Sequence, residues 1–140
     1  MSVPKLESQA RAFYVQAINK KNLAIIEALL APDFIDHEDL GTVEPNRDGV
    51  KMFLGMLISA FPDLKVTVDD MISDGDKVVL RSTWMGTHEG EFMGIPATGK
   101  KVTYSGIDIL KFTGDLVSEH WGLSDSMKMM AQLGLLPEAS

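Results

Sequence analysis

A chain of 140 residues with 45% hydrophobic residues is long enough to bury roughly 70% of its extended surface in one domain, expected here to span 1–140. Its net charge of −7 argues against nucleic acid as a partner, because phosphate binding needs clustered Lys and Arg, and its lack of cysteine excludes disulfides and thiol chemistry. No apolar run approaches the ~20 residues that span a bilayer, and Met1 to Glu7 does not read as a secretory signal, so the expectation is a cytoplasmic protein with no membrane role.

Leu6, Ala10, Phe13, Tyr14, Ala17 and Ile18 recur at helical spacing just after Pro4, which suits a first helical turn because its missing donor would be unpaired there anyway. Asn22 is placed to cap a short second helix carrying Leu23, Ile26, Leu29 and Leu30, which Pro32 stops by disfavouring helical geometry at Ala31. Phe34 to His37 reads as a brief extended piece. After a loop marked by Gly41, Pro45 and Asn46, the residues Val50, Phe53, Leu54, Leu57 and Phe61 describe a third helix that ends at Pro62.

From Leu64 the period falls to two, as Leu64, Val66 and Val68 alternate with Lys65, Thr67 and Asp69, and Asp74-Gly75 closes that strand. Lys77 to His88 and Lys101 to Phe112 read as further strands, joined by a connector from Glu89 to Lys100 that is long for a hairpin. Thr113-Gly114 turns into a strand from Leu116 to Leu123, and Ser124 or Asp125 can cap a Met-rich last helix that Gly134 terminates before Pro137. Helices first and antiparallel strands after give an α+β fold, with a strongly curved sheet wrapped around the N-terminal helices and a cavity at its open end.

The last two strands carry charge among apolar residues. Tyr104, Gly106, Asp108, Leu110 and Phe112 share one face of their strand, while Ser118, His120 and Gly122 share a face of the next. An inward carboxylate or imidazole must be paired or face a cavity, since unpaired burial costs roughly 1–3 kcal/mol or more. A three-residue turn sets Asp108 opposite His120, whereas a two-residue turn sets it opposite Glu119, and the sequence leaves both registers open.

Asp108 and His120 are the candidate catalytic residues, because a carboxylate that fixes an imidazole suits acid–base work; a purely structural hydrogen bond is the alternative. Asp36-His37-Glu38 is a further ionisable cluster, at the cavity mouth or in a solvated turn. Trp84 offers a flat wall to a ring-shaped ligand, and Met127, Met129 and Met130 can close one end. His37, His88 and His120 are chemically able to bind metal, but their spacing matches no metal motif, and neither a phosphate loop nor a serine-nucleophile motif is present.

Taken together, Ala31-Pro32-Asp33-Phe34, Ala60-Phe61-Pro62-Asp63-Leu64, the connector from His88 to Lys100 with Phe92-Met93-Gly94-Ile95-Pro96-Ala97-Thr98-Gly99, Gly106-Ile107-Asp108-Ile109, Glu119-His120-Trp121-Gly122, Asp125 and Gln132-Leu133-Gly134 resemble the SnoaL-like polyketide cyclases of the nuclear transport factor two superfamily. The resemblance covers almost the whole chain. It implies a cone-shaped α+β barrel, a homodimer, an interior that binds a small apolar, aromatic or polycyclic ligand, ring closure by intramolecular aldol condensation, and no cofactor or metal. It also implies an acid–base aspartate just after Trp121, where this chain has Gly122.

With that aspartate missing, Asp108 and His120 are the nearest candidates for proton transfer, and Asp36 and Asp125 are further carboxylates within reach. The expected ligand contacts are Asp36, His37, Trp84, His88, Tyr104, Phe112, Trp121 and Asp125. The alternatives are a binding protein without turnover and an epoxide hydrolase or isomerase of the same fold.

Overall fold

The computed structural model of the chain describes residues 3–136. Helix α1 (Val3–Ala12) runs into a π-helical segment, Phe13–Asn19, whose wider turn shifts the helical phase, as such segments often do near functional sites. Leu6, Ala10, Tyr14, Ala17 and Ile18 are buried on one side, as their spacing predicts. Asn19 anchors this unit to the sheet: its Nδ2 donates to the Val66 carbonyl at 2.9 Å, and the Val66 amide donates to its Oδ1 at 2.8 Å.

Asn22 makes no side-chain cap, because the chain first forms a 3-10 turn, Leu23–Ile25, in which the Asn22 carbonyl accepts from the Ile25 amide. Helix α2 (Ile26–Leu29) is a single turn. Strand β1 (Leu30–Asp36) is longer than the extended piece expected and starts before Pro32, which an edge strand tolerates. Helix α3 (Arg47–Ala60) is capped by Asn46, whose Oδ1 accepts from the Gly49 amide at 2.8 Å.

Strands β2 (Lys65–Asp74), β3 (Lys77–Thr87), β4 (Lys101–Thr113) and β5 (Leu116–Ser124) follow, then helix α4 (Ser126–Gln132), which Asp125 caps by accepting from the Lys128 amide at 3.1 Å. Gly134 ends α4 at a φ of 79°, and Pro137 lies outside the described residues. The five strands form one sheet in the order β1-β5-β4-β3-β2. All neighbours are antiparallel except β1 and β5, which run parallel, and β1 does not pair with β2, so the curved sheet stays open. Its inner face meets the early helices in a core that includes Ile18, Leu54, Leu57, Val78, Leu80 and Leu110. Among the described residues, no helix is long and apolar enough to cross a membrane.

The β4–β5 register corrects both sequence-based expectations. Asp108 lies opposite Gly122, and His120 lies opposite Leu110. The hairpin has a two-residue turn, Gly114-Asp115, between the paired Thr113 and Leu116, but a bulge follows: Lys111 pairs with Glu119 and Phe112 with Val117, leaving Ser118 as the extra residue. Ser118 Oγ donates to the Lys111 carbonyl at 3.2 Å and fixes the bulge. One extra residue flips the parity of everything beyond it, so Val117 lies in the core and His120 also reaches the inner side.

Candidate functional site

The inner face of the sheet and the helices enclose a cavity of about 800 Å³, within the range of small-molecule sites. Most of its wall is apolar. Trp84 and Tyr104 stack with centroids 6.3 Å apart and planes 12° from parallel, and Tyr14 meets Trp84 edge-on at 6.4 Å. Phe34, Leu54 and Leu57 add to the apolar lining, as do Met93 from the connector and Met129 and Met130 of α4.

The polar end is built from three strands and a loop. Asp36 ends β1 directly beside His120 of β5, and its Oδ1 lies 2.8 Å from His120 Nδ1. Asp108, two residues along β4 from the partner of His120, places its Oδ1 2.7 Å from His120 Nε2. This diagonal contact depends on Gly122, which stands opposite Asp108 on the same side. A Cβ there would lie 2.8 Å from His120 Nε2 and 2.6 Å from Glu38 Oε1, and closer still to Asp108 Oδ1. The glycine therefore leaves the volume in which these three side chains meet.

Both imidazole nitrogens face carboxylate oxygens. A neutral ring donates from only one nitrogen, whereas ionised carboxylates only accept, so the arrangement calls for an imidazolium. Burial opposes that charge, but the hydrogen bonds that the ring donates to Asp108 and Asp36 outweigh it and push the His120 pKa up to about 10. Asp36 Oδ1 also accepts from the Glu38 amide at 3.0 Å, while its buried Oδ2 has no partner among the described residues.

Glu38 approaches from the loop after β1, with Oε1 3.9 Å from His120 Nε2. Burial raises its pKa to about 7; attraction by His120 works against this, and repulsion by Asp108 and Asp36 adds to it. Tyr14 sits in the π-helical segment, and burial followed by the Asp108 charge holds its hydroxyl well above the ordinary tyrosine range, so it remains a neutral phenol. Burial, then Glu38, pushes Tyr104 up as well.

Of the residues singled out from the sequence, Asp36, His37, Trp84, Tyr104, Asp108 and His120 line the cavity. His37 is exposed at the mouth, where its Nε2 lies 3.0 Å from Glu119 Oε1 and its ring stacks on Trp121 at 4.7 Å. Trp121 pairs with Ile109 away from the cavity, and Phe112 is buried in the core beside the β4–β5 bulge. Asp125 is engaged as the α4 cap. His88 is buried against Phe61 under the connector, where its Nδ1 accepts from the Thr98 amide at 3.2 Å. None of these last four lines the cavity.

Glu38 and Tyr14 are the site residues that the sequence reading left out of its site. Glu38 did show as part of an acidic cluster, whereas Tyr14 followed the apolar period of α1, and only its hydroxyl signalled a need for a polar partner. Glu38, Asp108 and His120 offer ligand atoms within 4.8 Å of one another, the one group among the described residues able to hold a metal ion. As arranged, His120 Nε2 carries a proton toward Asp108, so a cation would first have to displace that proton.

The family model for SnoaL-like polyketide cyclases matches residues 8–133. TsrD from Streptomyces laurentii is 28% identical over 97% of this chain and 99% of its own, with a TM-score of 0.88. AclR from Streptomyces galilaeus, described as a candidate hydroxylase, is 29% identical over 97% and 100%, with a TM-score of 0.85. IdmH from Streptomyces antibioticus, a candidate polyketide cyclase, is 31% identical over 92% and 98%, with a TM-score of 0.81. No curated protein matches. With the family model spanning nearly its whole length and the same cone-shaped fold in these neighbours, the chain belongs to the SnoaL-like polyketide cyclase family.

Proposed function

We propose that the protein is a cofactor-independent acid–base enzyme, of cyclase or isomerase type, acting next to a carbonyl of a small apolar or polycyclic ligand held in the cavity. The observation that carries this reading is His120 clamped between Asp36 and Asp108 beside a largely apolar chamber, an arrangement that favours the imidazolium. Removing a proton from a carbon beside a carbonyl creates an enolate oxygen, and a fixed positive donor in a low-dielectric site stabilises that developing charge. In this reading His120 Nε2–H donates to the substrate oxygen, and Asp108 keeps the ring charged and aimed. Trp84 and Tyr104 supply a flat wall for a ring system.

A second copy of the chain covers the outer sheet face in this reading, where Ile72, Val79, Ile109 and Trp121 form a row across four strands and Ile107 and Leu123 stand exposed nearby. We place the protein in the cytoplasm, as expected from its sequence.

The test uses 2-acetonaphthone, a bicyclic aryl ketone with protons beside its carbonyl. Its binding is expected to raise the melting temperature, and NMR in D₂O is expected to show enzyme-dependent replacement of its methyl protons by deuterium. Stabilisation with no exchange would instead support a binding protein without turnover, a reading favoured by the missing side chain at Gly122.

A further inference from the structure

We propose that Glu38 is the general base of this site: its carboxylate takes the proton from the carbon beside the substrate carbonyl and later gives it back. The inference rests on the acid–base reading above and assigns the proton transfer that the Asp36–His120–Asp108 unit leaves open.

The geometry separates the roles. Both His120 nitrogens are occupied by carboxylates, so the ring has no lone pair with which to accept a proton. Asp36 Oδ1 is committed to His120 and to the Glu38 amide, and Asp108 Oδ1 is committed to His120. Among the described residues, Glu38 is the carboxylate of the cluster whose side chain makes no hydrogen bond. It lines the cavity and is half-buried, and at 3.9 Å its Oε1 is near His120 Nε2 without being hydrogen-bonded to it.

That gap suits an enolisable ketone, whose oxygen shares the Nε2 proton with Asp108 while its α-carbon lies beside Glu38. The volume that a side chain at position 122 would need is also the one the Glu38 carboxylate enters, since a Cβ at Gly122 would lie 2.6 Å from its Oε1. A carboxylate from the loop after β1 thus occupies the space that an acid–base group on β5 would use. Its pKa of about 7 leaves both protonation states populated near neutrality, as a base that must also return its proton requires.

The step balances within the site. The C–H bond breaks, its proton forms an O–H bond on Glu38, and its electron pair becomes the enolate, whose oxygen is held by His120. In a cyclisation the enolate carbon bonds to a second carbonyl carbon of the same substrate, and the resulting alkoxide takes the proton from Glu38, restoring the carboxylate. In simple exchange the enolate carbon recovers a solvent-derived proton from Glu38.

The experiment compares wild type, Glu38→Gln, Glu38→Asp and His120→Gln in deuterium exchange into 2-acetonaphthone from pH 5 to 9, with binding and melting temperature measured in parallel. In wild type the rate is expected to rise with a single ionisation near pH 7. Glu38→Gln is expected to lose at least about 100-fold and that inflection while still binding the ketone, and Glu38→Asp is expected to keep the inflection at a reduced rate. Glu38→Gln exchanging at the wild-type rate, or with the inflection unchanged, while His120→Gln is inactive would overturn the role of Glu38 and leave the acid–base reading standing. An inactive wild type would overturn that reading and this proposal with it.

Discussion

Asp108→Asn is expected to slow exchange into 2-acetonaphthone by roughly 100-fold or more, because the amide keeps the shape of the carboxylate but removes the charge that holds His120 protonated. Asn also offers an NH₂ donor, which tolerates a neutral ring and competes with the cationic one. The same change alters how stability depends on pH. His120 has a folded-state pKa of about 10, above its unfolded value of ~6.5, so its contribution is fully present below pH ~6.5 and is lost as pH rises through about 10. Glu38, raised to about 7, acts in the same direction over a lower window, from its unfolded value of ~4.3 up to about 7. The wild type is therefore expected to lose melting temperature as pH rises from 6.5 to 10. Asp108→Asn is expected to be less stable at pH 6.5 and to show a flatter decline. Calorimetry across that range checks this, and identical slopes in the two proteins would contradict it.

Gly122→Ala is expected to be nearly as damaging to the site, although the change adds one methyl group. The new Cβ would stand 2.6 Å from Glu38 Oε1 and 2.8 Å from His120 Nε2, with Asp108 Oδ1 closer still. Glu38 can withdraw toward solvent, but Asp108 is buried on β4 and His120 is held by Asp36 from the neighbouring strand. The Asp108–His120 contact lengthens, and loss of a hydrogen bond between charged groups costs about 1.5–3 kcal/mol. The expected result is a fall in melting temperature at neutral pH, a lower His120 pKa, and exchange reduced by at least about tenfold. A variant with wild-type stability and wild-type exchange would show that the close meeting of the three side chains is not needed.

The periodic patterns carried most of the fold. The helical spacing at Leu6 to Ile18 and Val50 to Leu57, the alternation after Leu64 and the cap at Asp125 each reflect a local physical constraint, and each appears in the structure, whereas the cap expected at Asn22 does not form. Strand β1 was only partly legible, because it begins immediately after α2, contains Pro32 and gains its partners from the far end of the chain. A parallel pairing between the second layer of the sequence and its last strand leaves no local signature.

The site was legible in its chemistry but not in its geometry. Asp108 and His120 stood out as charges among apolar residues, yet their contact is diagonal and depends on a bulge at Ser118 that no turn rule announces. Asp36 supplies the other half of the clamp through the parallel pairing with β5, which the sequence could not reveal. Gly122 read as a missing acid. In the structure it is the space that lets Asp108, His120 and Glu38 converge.

The chemistry of the site turns on His120 being a cation at neutral pH, held between two carboxylates. Its most direct test is a ¹⁵N NMR titration of the ring nitrogens in the wild type and in Asp108→Asn. Both nitrogens of His120 are expected to be protonated at pH 7 in the wild type, with a titration near 10 that moves downward in the variant. A His120 that titrates near ~6.5 in both proteins, with one bare nitrogen at pH 7, would contradict it.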